Sequence, residues 1–191
     1  MALHFSKQEF EKRKIAILNS MKEQNLDALL MFRQESMFWL TGYDTFGYVF
    51  FQTLIIDQKG NIILLTRAPD LRQAQNTSNI EDIRIWVDKD QSNPTDDLKI
   101  ILNELNLKGK KIGIEYEAYG MTGRNALKLN KSLKDYCEVE DQSELITKHR
   151  VIKSTEEIVY VKRAAELADQ GLDEAWKYAK AGASEAKILA E

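Results

Sequence analysis

Short apolar runs alternate with segments of helical period along most of this chain, and one pair of runs is separated only by a tight turn. That pattern constrains the fold more than any single motif. Strands alternating with helices require a sheet covered on both faces. The turn Gln58, Lys59, Gly60 joins the apolar runs 48–57 and 61–66 as a hairpin, so the sheet is mixed rather than wholly parallel.

The other elements follow from spacing and caps. Ser6 and Glu9 form a capping box for a first helix that turns Phe10, Ile17, Leu18 and Met21 inward and stops at Asn25. Residues 27–32 read as a buried strand, and 38–41 as a short apolar piece before Gly42, with a strand as one reading. Pro69 precedes a short helix over 70–77, and 83–88 alternates as a strand. Asn93 and Pro94 open a helix through Leu105 with Leu98, Ile101, Leu102 and Leu105 on one face. A strand over 111–116, a helix over 122–133, a strand over 136–140 and a short helix or connector over 143–148 complete the order. The expected fold class is α/β: a mixed, mainly parallel sheet with helices on both faces, followed by a long helix.

That long helix starts at a capping box, Ser154 with Glu157. Ile158, Val161, Ala165, Ala168, Leu172, Ala175, Trp176 and Ala179 recur behind it at helical spacing, Gly182 closes it, and Ser184 opens another helix that reaches Glu191 after about two turns. Nothing in the preceding pattern supplies a partner for this stripe. The expectation is two units, 1–148 and 149–191, the second being the start of a further domain in a longer protein. Ile158, Val161, Leu172 and Trp176 are then its interdomain docking residues.

The net charge of −3 gives no electrostatic footprint for nucleic acid. The lone Cys137 excludes a disulfide framework within the chain and fits a reducing compartment. The N-terminal residues lack a basic segment and a long apolar run, and the most apolar stretch, 48–57, is too short for a bilayer and contains Gln52 and Thr53. The chain reads as cytoplasmic, with neither nucleic acid nor membrane as partner.

Candidate chemistry within the chain is sparse. His4 and His149 are the only histidines, lie far apart in sequence and have no ligands at metal-binding spacing, so an exposed or connector role is expected for both. Cys137 on a predicted strand reads as a small core residue. Gly42 and Gly47 have P-loop-like spacing, but no Lys-Ser/Thr follows, and Gly109 precedes a strand rather than the helix a dinucleotide fingerprint needs. No catalytic residue and no metal ligand is assigned. Two features keep two readings each. Trp39, Tyr43, Phe46, Tyr48, Phe50 and Phe51 crowd one segment; core packing suits Phe50 and Phe51, whereas Tyr43, Asp44, Phe46 and Tyr48 flank glycines and suit a substrate-access or interface loop. Arg67 and Arg72 suit an anion or a partner's carboxylate, against a solvated loop with a local Asp70 pair.

The ordered set Asn25-Leu-Asp-Ala-Leu-Leu30, Phe38-Trp-Leu-Thr-Gly-Tyr43, the 50–57 and 61–66 strands, Lys111-Ile-Gly-Ile-Glu115 and the connector from Leu145 into Lys153-Ser-Thr-Glu-Glu157 resembles the N-terminal domain of the creatinase, prolidase and aminopeptidase P superfamily, plus the first helix of its pita-bread catalytic domain. The resemblance covers essentially the whole chain. It implies a ribonuclease H-like fold and a hydrolase whose catalytic domain holds two divalent ions (Mn, Co or Zn) through two aspartates, a histidine and two glutamates, all beyond residue 191. It implies Xaa-Pro hydrolysis, or hydrolysis of small amidines and amides, or in a few members lyase chemistry. It also implies a homodimer in which a loop of this domain reaches the partner's active site. In creatinase the similar stretch carries an arginine for a substrate carboxylate; the matching position here is Phe50, which favours a more apolar ligand. Three readings follow: the N-terminal domain of an Xaa-Pro peptidase-like hydrolase, the same domain of a non-peptidase member, or a free-standing interaction module.

Overall fold

The computed structural model describes residues 3–190; Met1, Ala2 and Glu191, and with them the very start and end of the sequence pattern, lie outside the described residues. The chain divides into two compact units, Met1–Val151 and Ile152–Glu191.

The first unit is a six-stranded sheet in the order β4-β3-β2-β1-β5-β6. Its strands are β1 (Ala28–Met31), β2 (Thr53–Asp57), β3 (Ile62–Arg67), β4 (Asp82–Trp86), β5 (Lys111–Ile114) and β6 (Glu138–Asp141). β2 runs antiparallel to both β1 and β3, while the β3–β4, β1–β5 and β5–β6 pairs are parallel. The hairpin is where the turn residues put it. Asp57 Oδ1 accepts from the backbone N–H of Lys59 and of Asn61, both at 2.9 Å, which organises the reversal from its first residue.

Side-chain alternation splits the core in two. On one face Ala28, Leu30, Ile55, Ile63 and Leu65 meet α4 (Pro94–Glu104) and α5 (Gly123–Leu133) through Leu98, Ile101, Leu102, Leu129 and Leu133. On the other, Leu29, Met31, Leu54, Ile56 and Leu64 meet α1 (Lys7–Glu23), α2 (Gln34–Thr41), α3 (Leu71–Thr77) and α6 (Leu145–Val151) through Ile17, Met21, Met37, Leu40, Ala74, Leu145 and Ile146. The expected α/β class with helices on both faces is therefore the observed one.

Some bounds differ from the sequence pattern. Residues 38–41 are the second half of helix α2 rather than an extended piece; Met37, Trp39, Leu40 and Thr41 are all buried, so no polar face betrays the period. The strand expected from residue 48 begins at Thr53, because Gly47–Val49 forms a single 3-10 turn first. The short segment expected over 143–148 is α6, reaching Val151.

In the second unit α7 (Thr155–Tyr178) carries the full capping box. Ser154 Oγ accepts from Glu157 N–H at 3.2 Å, and Glu157 Oε2 accepts from Ser154 N–H at 2.7 Å. None of its residues is buried, and the same holds for α8 (Glu185–Ala190).

Candidate substrate-access surface

The carboxyl ends of β1 and β5 lie side by side, because these strands pair in parallel. β2 enters beside the end of β1, with Met31 opposite Leu54, and β3 leaves there too, with Leu65 opposite Thr53. The loops 42–52, 66–70 and 115–122 are thus gathered at one end of the sheet. The helices that follow β1 and β5, α2 and α5, cover opposite faces. Such a reversal is the topological switch point at which open α/β sheets form ligand crevices.

The 42–52 loop is held from below by polar groups. Tyr43, expected in an exposed loop, is fully buried. Its hydroxyl donates to Gln52 Oε1 at 3.0 Å and lies 3.2 Å from Thr66 Oγ1, which itself bonds Gln52 at 3.0 Å. Burial raises the Tyr43 hydroxyl above its ordinary pKa, so it stays a neutral donor. A tyrosine next to Gly42 and Asp44 reads as loop in one dimension, yet its anchors stand on β3 and at the entry to β2. Asp44 is exposed and Tyr48 half-buried, and Phe46 is 87% exposed. Phe50, expected in the core, is instead half out of it, with the Arg67 guanidinium 3.5 Å from its ring centroid. Phe51 is buried, as its reading required.

Arg67 is committed at the same time to Asp70, at 3.5 Å, and to Asp88, at 3.8 Å, so the local-pair reading of this arginine is the observed one. Close approaches at two glycines tie these loops together. A Cβ at Gly47 would stand 2.6 Å from Asp70 Oδ2, and one at Gly120 would run into the Phe50 carbonyl oxygen. Tyr48 and Tyr119 meet edge to face with centroids 5.6 Å apart. The result is a ledge of exposed apolar groups, Phe46, Val49, Phe50 and Tyr119, on a rigidly tied base. Gly120→Ala is expected to destabilise the first unit by about 1–3 kcal/mol, since a backbone carbonyl cannot step aside as a side-chain tip can. Chemical denaturation checks it; an unchanged midpoint would show that the loops are not tied there.

Glu115 is the functional-looking residue that sequence reasoning passed over. It directly follows β5, has no exposed surface, and its Oε2 accepts from Phe32 and Arg33 N–H, both at 3.0 Å, while Oε1 accepts from Ser36 Oγ at 2.6 Å. Burial pushes its pKa up to about 7, against the pull of Ser36, the two N–H groups and the Arg33 charge. Its carboxylate ties the β1–α2 junction together, taking the two N–H groups just ahead of the helix and the Ser36 hydroxyl in its first turn. A glutamate after the apolar run Ile112–Ile114 was the available signal.

The remaining candidates have structural partners. His149 is not a free connector: it sits on α6, 2.9 Å from Ser20 Oγ and beside the Trp39 ring, and burial lowers its pKa. Cys137 is half-buried against the core, its thiol pushed up to about 11 by burial, which makes it a poor nucleophile. Among the described residues no group of three or more His, Cys, Asp or Glu could hold a metal ion. No described helix is long and apolar enough to cross a membrane. Ile158, Val161, Leu172 and Trp176, expected as interdomain docking residues, all lie exposed on α7, Trp176 at 71%.

Comparison with known proteins places these features. The family profile of the Creatinase/Prolidase N-terminal domain matches residues 13–152. An uncharacterized hydrolase/peptidase of Sinorhizobium fredii is 27% identical over 195 residues, which cover 98% of this chain and 50% of that protein. The ectoine hydrolase of Halomonas elongata is 24% identical over 174 residues, 87% of this chain and 43% of that protein. The crystal structure of X-Pro aminopeptidase from Thermotoga maritima shares the fold with a TM-score of 0.74 at 20% identity, over 93% of this chain and 46% of that one. The chain spans about half the length of the curated relatives it matches. With most of its first unit matched by the profile, the chain belongs to the creatinase/prolidase N-terminal domain family.

Proposed function

We propose that this chain is the N-terminal part of a cytoplasmic, homodimeric, metal-dependent hydrolase of Xaa-Pro peptidase type, and that it builds the dimer and shapes substrate access rather than performing catalysis. The observation that carries this reading is the apolar ledge Phe46, Val49, Phe50 and Tyr119, exposed on a base tied by buried hydrogen bonds. Rigid exposed aromatics suit an interface or the wall of a pocket for an apolar group such as a proline ring. Two divalent ions (Mn, Co or Zn) would be held by the remainder of the longer protein. A second reading, the same domain in a non-peptidase hydrolase, rests on the similarity to ectoine hydrolase.

The test joins this chain to the coding sequence that follows Glu191 in its gene. With Mn²⁺, Co²⁺ or Zn²⁺, the joined protein is expected to cleave Xaa-Pro dipeptides. Residues 1–191 alone are expected to give background rates. Phe46→Ala in the joined protein is expected to raise KM severalfold with little change in kcat. Turnover by the chain alone that a substitution within it abolishes would overturn the proposal; turnover of small amides but not of dipeptides by the joined protein would select the second reading.

A further inference from the structure

The outer strands of the sheet are β4 and β6, and among the described residues neither has a strand on its far side. Each therefore presents a row of open backbone N–H and C=O groups, which proteins keep from pairing by placing charge along the edge. β6 follows that rule. Glu138, Glu140 and Asp141 fill three of its four positions, so a second copy laid beside it would set acid against acid. β4 does not follow it. Trp86 turns to one face and joins the core there, while Ile83, Ile85 and, just past the strand end, Val87 share the other face. Ile83 packs against the core on that face, but Ile85 is 43% exposed and Val87 55%.

The charges on β4 are spent within the chain. Arg84 donates to Asp82 Oδ2 at 3.0 Å and to Glu104 Oε2 of α4 at 3.2 Å. Laid antiparallel against itself about Ile85, the segment 81–89 is self-complementary. Ile85 falls opposite its own counterpart, Ile83 opposite Val87, and Glu81 opposite Lys89. Asp82 falls opposite Asp88, but each already has an arginine, Arg84 for the first and Arg67 for the second. Neighbouring registers are worse. Centring on Arg84 sets that arginine against itself, and centring on Trp86 sets Asp82 against Asp90 and Ile83 against Lys89. Like charges directly opposite are destabilising, so the apolar row and the charges select the same centre.

We propose that β4 is a self-recognition edge: two copies of this chain pair their β4 strands antiparallel about Ile85, which makes their two six-stranded sheets continuous. A two-fold axis normal to the sheet keeps the Ile83, Ile85 and Val87 row on one face in both copies. The proposal deepens the homodimer reading above and rests on it for a role in the longer protein, whereas the pairing itself belongs to the first unit. Edges this short bury less than the roughly 1,000 Å² of a stable interface, so isolated chains pair through β4 with a dissociation constant on the order of 1 mM. That weakness keeps the edge distinct from association through the α7 stripe, and it calls for a covalent trap.

The experiment uses residues 1–191 with Cys137→Ser, which removes the single native thiol, and with Val161→Glu and Leu172→Glu, which remove the α7 stripe. Ile85→Cys and Val87→Cys are each added to this background and held in a thiol–disulfide buffer. Residues directly opposite in an antiparallel pair stand about 4.5–5.5 Å apart at Cα, within reach of a disulfide. Val87 is four positions along the strand from the residue opposite its own counterpart, which puts the two copies of it out of reach. Ile85→Cys is therefore expected to give at least about tenfold more linked dimer than Val87→Cys. In the linked dimer, alternate amide N–H groups over 82–88 are expected to exchange with solvent about tenfold more slowly, and reduction is expected to restore them. Unaltered thermal unfolding of the reduced variants confirms that both fold. Equal linking at the two positions, no linking through Ile85→Cys, or linking without slowed exchange would overturn the proposal. None of these outcomes touches the hydrolase reading, which the joined protein tests separately.

Discussion

Glu115→Ala is expected to lower the unfolding free energy of the first unit by about 3–5 kcal/mol, and its midpoint temperature by roughly 10 °C. The reason is asymmetric. The glutamate satisfies Phe32 N–H, Arg33 N–H and the Ser36 hydroxyl at a junction of β1, α2 and β5 that water does not reach. Removing it leaves up to three donors buried at once, each worth about 1–3 kcal/mol when unpaired. Removing Ser36 alone, as Ser36→Ala, should be much milder, since the two backbone donors keep their acceptor.

The same residue predicts an unusual pH dependence. Its pKa lies at about 7 in the folded chain against an ordinary 4.5, so the folded state holds the proton more tightly than the unfolded one. Stability linked to this group is therefore fully present below the unfolded value and is lost as pH rises through the folded value. The window runs from about pH 4.5 to 7, and the loss across it is on the order of 3 kcal/mol. Paired surface carboxylates act in the opposite direction, so the informative quantity is the difference between wild type and Glu115→Gln, measured by urea unfolding at several pH values. That difference should fall across the window and flatten above it. A difference independent of pH would mean that burial does not dominate the three donors.

How much of this was legible in sequence depended on whether a feature was local. The strands 27–32, 61–66 and 111–116 were visible because β-branched and aliphatic residues form short runs bounded by turn residues, and the β2–β3 hairpin was visible because its turn is self-contained. Helix α2 was not, since Gln34–Thr41 is packed on most of its surface and shows no polar stripe. Tyr48, Val49, Phe50 and Phe51 have strand propensity, but Gly47–Val49 forms a 3-10 turn, and the Tyr48 and Phe50 carbonyls lie against Gly120 of a distant loop. The same distance effect hid Tyr43, whose hydroxyl partners are Gln52 and Thr66, and Glu115, whose partners are more than seventy positions away in sequence. Of the four loop residues expected at a surface site, Tyr43 proved to be the anchor beneath it, while Phe46 stands in the open.

The chain on its own is expected to self-associate through α7, and the paired change Val161→Glu with Leu172→Glu to weaken that association by about a hundredfold or more. Ile158, Val161, Ala165, Ala168, Leu172, Ala175 and Ala179 follow alternating steps of three and four, the spacing of a two-helix seam. The helix is set for length by its capping box, and ion pairs such as Arg163 with Glu166 and Lys177 with Glu174 keep its other faces soluble. Alanines along the seam permit close approach of a second helix, and Ile158, Val161, Leu172 and Trp176 supply the apolar area, each about 1.5–3 kcal/mol when fully covered. Association subtracts several kcal/mol from that total, leaving enough for a dimer at micromolar concentration. The occupant expected for the isolated chain is therefore the same helix of a second copy. In the longer protein proposed above, the stripe would instead be covered by the domain that follows. Sedimentation velocity across a concentration series decides the point: a wild-type coefficient that rises with concentration and a variant that stays monomeric are expected. Two monomers with equal helix content would mean that α7 is stable with its stripe in water, and that the stripe is not a docking face.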